Sequence, residues 1–102
     1  MRSFQVSFSG EANDDVVSIL HYIAADSPAT ALKFVDRLEE RIVQFLSSTP
    51  FAGRRIGKAR YCAFGNYVAA YIVDEDLLTV TVILVAEGHR EWRADIEERL
   101  RS

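Results

Sequence analysis

The chain has 102 residues, of which 49% are hydrophobic and 26% charged, and its formal net charge is −3. This length and composition predict one folded domain over residues 1–102 and exclude a disordered or fibrous chain. The acidic balance argues against broad attraction to nucleic acid. The longest apolar run, Val80 to Ala86, is far shorter than the roughly 20 residues of a membrane span, and the N-terminus lacks a secretory signal. We therefore expect a cytoplasmic protein with no membrane contact.

The first two elements are predicted to be a strand and a helix. Phe4 to Phe8 alternates apolar and polar residues, which is typical of a half-buried strand. Ser9 can cap an amphipathic helix that ends near Ala25 or Asp26. The apolar stripe of this helix consists of Ala12, Val16, Ile19, Leu20 and Ile23.

A second, longer helix is predicted to start at Ser27-Pro28, because serine caps free N–H groups and proline fits the first helical position. Ser47 to Pro50 ends it. The connection between the two helices is so short that they should form an antiparallel hairpin with facing apolar stripes. The stripe of the second helix consists of Ala31, Phe34, Val35, Leu38, Ile42, Phe45 and Leu46.

The segment from Phe51 to Arg60 is predicted to be a basic loop. It contains Arg54, Arg55, Lys58 and Arg60 and no acidic residue. Such a cluster in an acidic chain can bind an acidic protein surface or phosphate, and a solvated loop without a function is the alternative.

Three strands and a short helix are predicted to follow. The strands are Tyr61 to Phe64, Tyr67 to Val73 and Leu77 to Ala86, and the turns between them are Gly65-Asn66 and Asp74 to Asp76. Trp92, Ile96 and Leu100 recur at helical spacing. The sequence therefore predicts an α+β fold with an N-terminal strand, an antiparallel helical hairpin, a three-stranded antiparallel meander completing one sheet, and a short C-terminal helix. The first strand should pair with a late one.

The segment from Gly88 to Trp92 is the second candidate site. A histidine next to an arginine, as in His89 and Arg90, can perform general acid–base work on a phosphodiester. The alternative is that both side chains are solvated and that Trp92 is an anchor of the core.

No metal or cofactor site is predicted. Cys62 is the only cysteine, so no disulfide can form within the chain, and its apolar neighbours indicate a buried thiol. His21 and Tyr22 have no second ligand at metal-binding spacing, so structural roles are expected for them. Asp74 to Asp76 is interpreted as a polar turn.

The order of elements and several short motifs resemble the RelE/ParE toxin superfamily, and the ParE branch in particular. Nearly the whole chain takes part in this resemblance. The segments that carry it are Ala12 with the following aspartates, Ile19 to Ile23, Ser27 to Ala31 with Phe34, Leu46 to Pro50 with Gly53, Gly65 to Tyr71, and Gly88 to Trp92.

The resemblance implies a bacterial toxin of a type II toxin-antitoxin system, of the kind linked to plasmid stabilisation. ParE-like members resemble non-enzymatic inhibitors that bind DNA gyrase, need no cofactor, and are neutralised by a cognate ParD-like antitoxin in a hetero-oligomer. No direct sequence-specific nucleic-acid binding is expected of the toxin alone. RelE-like members are ribosome-dependent mRNA endonucleases whose Tyr-Arg-Leu-Val-Tyr strand carries an arginine where this chain has Val68.

Two sets of site residues follow from the resemblance. The residues expected to face the target are Arg54, Arg55, Lys58, Arg60, His89, Arg90 and Trp92. Those expected to bind the antitoxin are Ile19, Tyr22, Ile23, Phe34 and Leu38. No catalytic residue is expected in the ParE-like interpretation, whereas the nuclease alternative would use His89 and Arg90. An inactive antitoxin-binding relative is the third hypothesis.

Overall fold

The structure is a computed structural model that describes residues 3–101, and three helices and five strands lie in this part of the chain. In chain order they are β1 (Gln5–Phe8), α1 (Gly10–Ala24), α2 (Pro28–Ser48), β2 (Arg54–Ile56), β3 (Ala59–Phe64), β4 (Tyr67–Asp74), β5 (Thr79–Glu87) and α3 (Trp92–Arg101). The predicted α+β class is confirmed. No helix of the described chain has the length and apolar character required to cross a membrane.

One five-stranded sheet, in the order β1-β5-β4-β3-β2, forms the centre of the molecule. The last four strands are antiparallel neighbours, which confirms the predicted meander. β1 instead pairs in parallel with β5, so that Gln5 lies opposite Thr79 and Phe8 opposite Val82. The expected pairing of the first strand with a late one is therefore confirmed.

Each face of the sheet has its own core. The helical hairpin α1–α2 covers one face, here called the hairpin face, and α3 covers the other, the α3 face. The largest buried residues on the hairpin face are Leu38, Ile42, Leu46, Phe64 and Tyr71. Those on the α3 face include Ile83, Leu84, Trp92 and Ile96. Because β5 is covered on both sides, its nearly continuous apolar run is explained.

Both helices begin where the sequence predicted, but only the first has the predicted serine cap. Ser9 Oγ accepts a hydrogen bond from the Ala12 N–H at 3.1 Å, as an N-cap should. Pro28 is the first residue of α2, but Ser27 makes no side-chain cap bond. Its hydroxyl donates instead to Thr30 Oγ1 at 2.8 Å.

The predicted basic loop contains a strand, which corrects the sequence interpretation. β2 and β3 form a hairpin in which Ile56 lies opposite Ala59. Gly57 adopts a φ of 59°, which a residue without a Cβ tolerates at a tight turn. β3 therefore begins before Tyr61, and β2 becomes the edge strand.

The start of β5 is a second correction. Leu77 was expected in the strand, but it lies in the preceding turn and is 71% exposed. Asp74 Oδ1 accepts a hydrogen bond from the Leu77 N–H at 3.0 Å, and Leu78 has a φ of 53°. This side-chain bond closes a turn of the kind that aspartate favours, so the strand begins at Thr79.

β5 is irregular at Ile83. Ala70 of β4 pairs with Leu84, but Tyr71 pairs with Val82, so Ile83 has no partner in β4. Both Ile83 and Leu84 consequently join the core of the α3 face. A bulge of this kind bends the strand and breaks the alternation that a sequence pattern would predict.

Side chains of α1 and α3 occupy the edge of β5 that β1 leaves open beyond Val82. Asp15 Oδ2 accepts a hydrogen bond from the Val85 N–H at 2.9 Å, and Arg99 Nη1 donates to the Ile83 carbonyl at 2.8 Å. The two side chains also bind each other, at 2.5 Å and 2.9 Å. The first and last helices are thereby fixed to the same end of the sheet.

Candidate target-binding and partner-binding surfaces

The four cations of the predicted basic loop point in different directions. Arg54 lies opposite Tyr61, and Arg55 opposite Arg60. Because side chains alternate along a strand, Arg54 lies on the α3 face with Tyr61, whereas Arg55 lies on the hairpin face with Arg60. Lys58 is exposed in the turn. These residues therefore do not form a single basic patch.

Arg60 has a structural role in this region. Its Nη1 donates to the carbonyls of Phe51, at 3.2 Å, and Gly53, at 3.0 Å. The guanidinium carbon also lies 5.3 Å from the centre of the Phe51 ring, within range of a cation–π contact. These contacts attach the segment before β2 to β3 and leave Arg60 half-buried.

Trp92 is the anchor of α3. It is 4% exposed, its indole Nε1 donates to the Gly88 carbonyl at 3.0 Å, and its ring centre lies 4.6 Å from that of Tyr61. Arg93 covers this pair, with its guanidinium 4.2 Å from the Trp92 ring centre. The core-anchor alternative therefore describes Trp92, and Arg93 is the exposed cation beside it.

Arg54, Tyr61, Trp92 and Arg93 together are called the α3-face patch. The sequence interpretation missed Arg93, although an arginine next to a buried tryptophan at a helix start was a usable signal. Arginine over an aromatic ring is held in place and keeps its hydrogen-bond donors available, which suits recognition of an acidic surface.

His89 and Arg90 have different surroundings. The His89 side chain is 80% exposed, and its Nε2 lies 2.8 Å from Glu87 Oε2. Arg90 instead lines a cleft of about 430 Å³ between α1 and the adjacent ends of β4 and β5, here called the α1 cleft. The other lining residues are Asp15, Ser18, Ile19, Tyr22, Tyr67, Val85, Ala86 and Glu87.

Tyr67 forms a wall of the α1 cleft and has a perturbed phenol. Burial, followed by the nearby Glu87 and Tyr22, raises the pKa of Tyr67 above its ordinary value. The neutral hydroxyl can donate a hydrogen bond. With the guanidinium of Arg90, it makes the α1 cleft suited to binding an acceptor group.

The residues predicted to bind an antitoxin differ in accessibility. Tyr22 is 73% exposed and Phe34 is 37% exposed, so both offer apolar surface to a partner. Ile19 and Ile23 are half-buried. Leu38 is only 3% exposed and belongs to the core, so its side chain offers little surface of its own.

The structural roles expected for His21 and Tyr22 are not found. Both side chains are exposed on α1, and neither belongs to a core cluster. Cys62 is half-buried, and its Sγ lies 3.5 Å from Tyr71 Oη. Within residues 3–101, no group of three or more histidine, cysteine or acidic side chains is arranged to hold a metal ion.

A second cleft, which the sequence interpretation missed, lies between α2 and the β3–β4 turn. This α2 cleft has a volume of about 340 Å³. Arg37 and Arg41 of α2, to which the sequence interpretation gave no role, both line it. Their spacing of four residues was the available signal. The other lining residues are Phe34, Leu38, Phe64, Gly65, Asn66 and Tyr67.

Comparison with solved structures defines the class of fold. A chain of the chromosomal ParDE toxin-antitoxin system from P. aeruginosa is 20% identical, with a TM-score of 0.67, and 83% of this chain and 96% of that chain are covered. A chain of the RelBE2 toxin-antitoxin complex from Mycobacterium tuberculosis is 19% identical, with a TM-score of 0.67 and coverage of 88% and 97%. For the isolated RelE toxin of E. coli the identity is 18%, the TM-score 0.59 and the coverage 96% and 99%. The fold is therefore that of the RelE/ParE toxins.

The family model for the ParE toxin of the type II toxin-antitoxin system parDE matches residues 6–92. The chain belongs to this family and is a toxin-type member of a type II toxin-antitoxin system. No match was found among curated protein sequences. The resemblance inferred from the sequence motifs is confirmed.

Proposed function

We propose that this protein is a toxin that inhibits DNA gyrase by binding it, acts in the cytoplasm, and is neutralised by a cognate ParD-like antitoxin. The observation that carries the proposal is the match to the ParE family over residues 6–92. The ParE resemblance implies gyrase as the target and binding, rather than a chemical step, as the mode of action.

The geometry around His89 favours binding over RNA cleavage. A general acid or base must be held within hydrogen-bond reach of the reacting group. The His89 side chain points into solvent, with its Nε2 2.8 Å from Glu87 Oε2, whereas Arg90 lines the α1 cleft. Val68, at the position of the nuclease arginine, is 6% exposed in an apolar core. Val68 thus cannot supply the positive charge that the arginine provides in the nuclease branch.

The cations that can contact a target form two groups. Arg54 and Arg93 belong to the α3-face patch, and Arg90 lies in the α1 cleft. Trp92, two residues after Arg90, packs on Tyr61 of β3. We therefore expect the target-binding surface to extend from the α1 cleft along the start of α3 to β2. His89 and Lys58 flank it and Trp92 supports it from below, while Arg55 and Arg60 lie on the hairpin face of β2 and β3.

The helical hairpin is the surface proposed for the antitoxin. Several large apolar side chains of α1 and α2 are exposed, among them Val17, Tyr22, Leu32 and Phe34, and patches of this kind commonly mark protein interfaces. Tyr22 and Phe34 are the members that the sequence had already indicated. A hetero-oligomer of toxin and antitoxin would cover them.

The deciding experiment measures supercoiling and DNA cleavage by purified gyrase with the protein added, beside an mRNA-cleavage assay in a translating extract. We expect inhibited supercoiling and intact mRNA. The double variant Arg54→Gln/Arg90→Gln should lose inhibition by about a hundredfold or more, because charge-assisted contacts contribute roughly 1.5–3 kcal/mol each and two are removed. Lys33→Gln, an exposed cation on α2, is the matched control.

Two results would redirect the assignment. Cleaved mRNA that becomes intact with His89→Ala would move the protein to the nuclease branch. A folded protein that affects neither gyrase nor mRNA would be an inactive antitoxin-binding relative.

A further inference from the structure

The α2 cleft combines an aromatic floor with a cationic rim. The rings of Phe34 and Tyr67 are 5.5 Å apart at the end of the cleft, and Phe64 closes it from the β3 side. Phe34 is 37% exposed, so an apolar surface is open to solvent here. The volume of about 340 Å³ is at the small end of the range for ligand pockets and suits one large side chain.

The rim consists of two arginines with no ion-pair partner. Arg37 and Arg41, one helical turn apart, form no salt bridge with any carboxylate of the described residues. Arg41 also overlies the β3–β4 turn, since a Cβ built on Gly65 would lie 3.7 Å from its Nη1. Two like charges at this spacing repel each other weakly, and an incoming anion would relieve that repulsion.

The acidic residues of the same helix lie elsewhere. Asp36, Glu39 and Glu40 line a separate shallow surface together with Val43. α2 therefore has an anionic side and a cationic side, and the cationic side coincides with the aromatic cleft. This separation makes the α2 cleft complementary to an acidic ligand that also carries an apolar group.

We propose that the α2 cleft binds an acidic segment of a partner protein by taking in one aromatic or large aliphatic side chain while Arg37 and Arg41 bind the flanking carboxylates. The proposal rests on the proposed function only in naming the antitoxin as the source of this segment. It adds the chemistry of recognition: a carboxylate on each side of a buried apolar residue.

An acidic peptide fits this site better than a nucleic acid. A phosphate backbone carries a charge at every nucleotide, whereas the proposed segment brings only the two carboxylates that the rim can bind. Only two cations line the cleft, whereas binding of a nucleic acid generally needs an extended basic surface. A short peptide segment needs no more than the rim and the floor.

The test uses fluorescein-labelled synthetic peptides and the intact protein, with binding followed by fluorescence anisotropy. One peptide carries a phenylalanine flanked by glutamates, a second has glutamines in place of the glutamates, a third has serine in place of the phenylalanine, and an oligo-uridine serves as the nucleic-acid probe. We expect the first to bind at least tenfold more tightly than the other three, and to weaken as salt is raised.

Variants of the protein locate the binding. Arg37→Gln/Arg41→Gln should weaken binding of the first peptide by tenfold or more, and Phe34→Ser should do the same without changing the salt dependence. Lys33→Gln, on the same helix outside the cleft, should leave it unchanged. Circular dichroism confirms that each variant is folded.

Equal binding of the acidic and neutral peptides, unchanged binding by the double arginine variant, or tighter binding of oligo-uridine would each overturn the proposal. Its failure is separable from that of the gyrase assignment, because Arg37→Gln/Arg41→Gln should still inhibit supercoiling as fully as the unmodified protein. Gyrase inhibition with no acidic-peptide binding, or the reverse, identifies which of the two is wrong.

Discussion

Asp15 and Arg99 lie 84 residues apart in the sequence and form a two-point ion pair against the open edge of β5. Each also binds a backbone group that the sheet leaves without a strand partner, the Val85 N–H and the Ile83 carbonyl. The pair therefore replaces, at this edge, the hydrogen bonds that a longer β1 would have made. The hydrogen bonds that Arg99 donates to Asp15 raise the pKa of Arg99 above its ordinary value.

Removing either member of this pair should destabilise the fold. Arg99→Gln or Asp15→Asn is expected to lower the free energy of unfolding by about 2–4 kcal/mol, because a half-buried charge and a backbone group lose partners together. Urea denaturation followed by circular dichroism measures the change. Asp14→Asn, an exposed neighbour on α1, is the control and should stay within about 0.5 kcal/mol of the parent. A loss of similar size in the control would contradict the assignment.

Gly53 should be intolerant of any side chain. Its N–H donates to Tyr71 Oη at 3.0 Å, and an added Cβ would lie 2.2 Å from that oxygen and 2.9 Å from the Tyr61 carbonyl. Gly53→Ala is therefore expected to cost about 2–3 kcal/mol through overpacking and the lost bond. Gly10→Ala is the matched control, since nothing lies within 4 Å of its Cβ position. Thermal melts of both variants test this prediction.

Glu39 should make stability depend on pH. Burial, and then the charge of Asp36, raises the pKa of Glu39 above its ordinary value of 4.5. The folded state thus binds this proton more tightly than the unfolded state. The contribution of protonated Glu39 to stability is fully present below about pH 4.5. It is lost as the pH rises through the pKa of Glu39 in the folded state.

Glu39→Gln is therefore expected to unfold at higher urea concentration than the parent at pH 7, and at nearly the same concentration at pH 3. Glu40→Gln, which removes the same charge from an exposed position, controls for net charge. A stabilisation by Glu39→Gln that is as large at pH 3 as at pH 7 would rule out the proton linkage.

Trp92 and Arg93 should separate stability from target binding. Trp92→Phe loses the bond to the Gly88 carbonyl and part of the contact with Tyr61, so unfolding should become easier by about 1–2 kcal/mol. The folded variant should still inhibit gyrase. Arg93→Gln should reduce gyrase inhibition, and its loss of stability should stay at about 1 kcal/mol or less, since only an exposed cation–π contact is removed. Circular dichroism and supercoiling assays on both variants provide the comparison, and the reverse pattern would assign the target contact to Trp92.

Much of the candidate surface could be located from the sequence, but not its arrangement. The basic segment and the Gly88–Trp92 segment were found because charge stands out locally in an acidic chain. Arg54 and Arg55 were treated as one group, since a loop carries no information about faces, and the hairpin that separates them depends on pairing with β3. Arg93, Arg37 and Arg41 were missed because their roles come from rings and turns distant in sequence.

The sequence by itself determined the order of the helices and of all strands except β2, the helix start signals and the family. These properties depend on local periodicity, capping residues and motif spacing, all of which are contained in short windows of the chain. Only the tertiary structure decided the parallel pairing of β1 with β5, the bulge at Ile83, and the ion pair of Asp15 with Arg99. Those features arise where groups far apart in the chain compete for the same backbone hydrogen bonds, and the outcome depends on which of them the packed helices bring within reach.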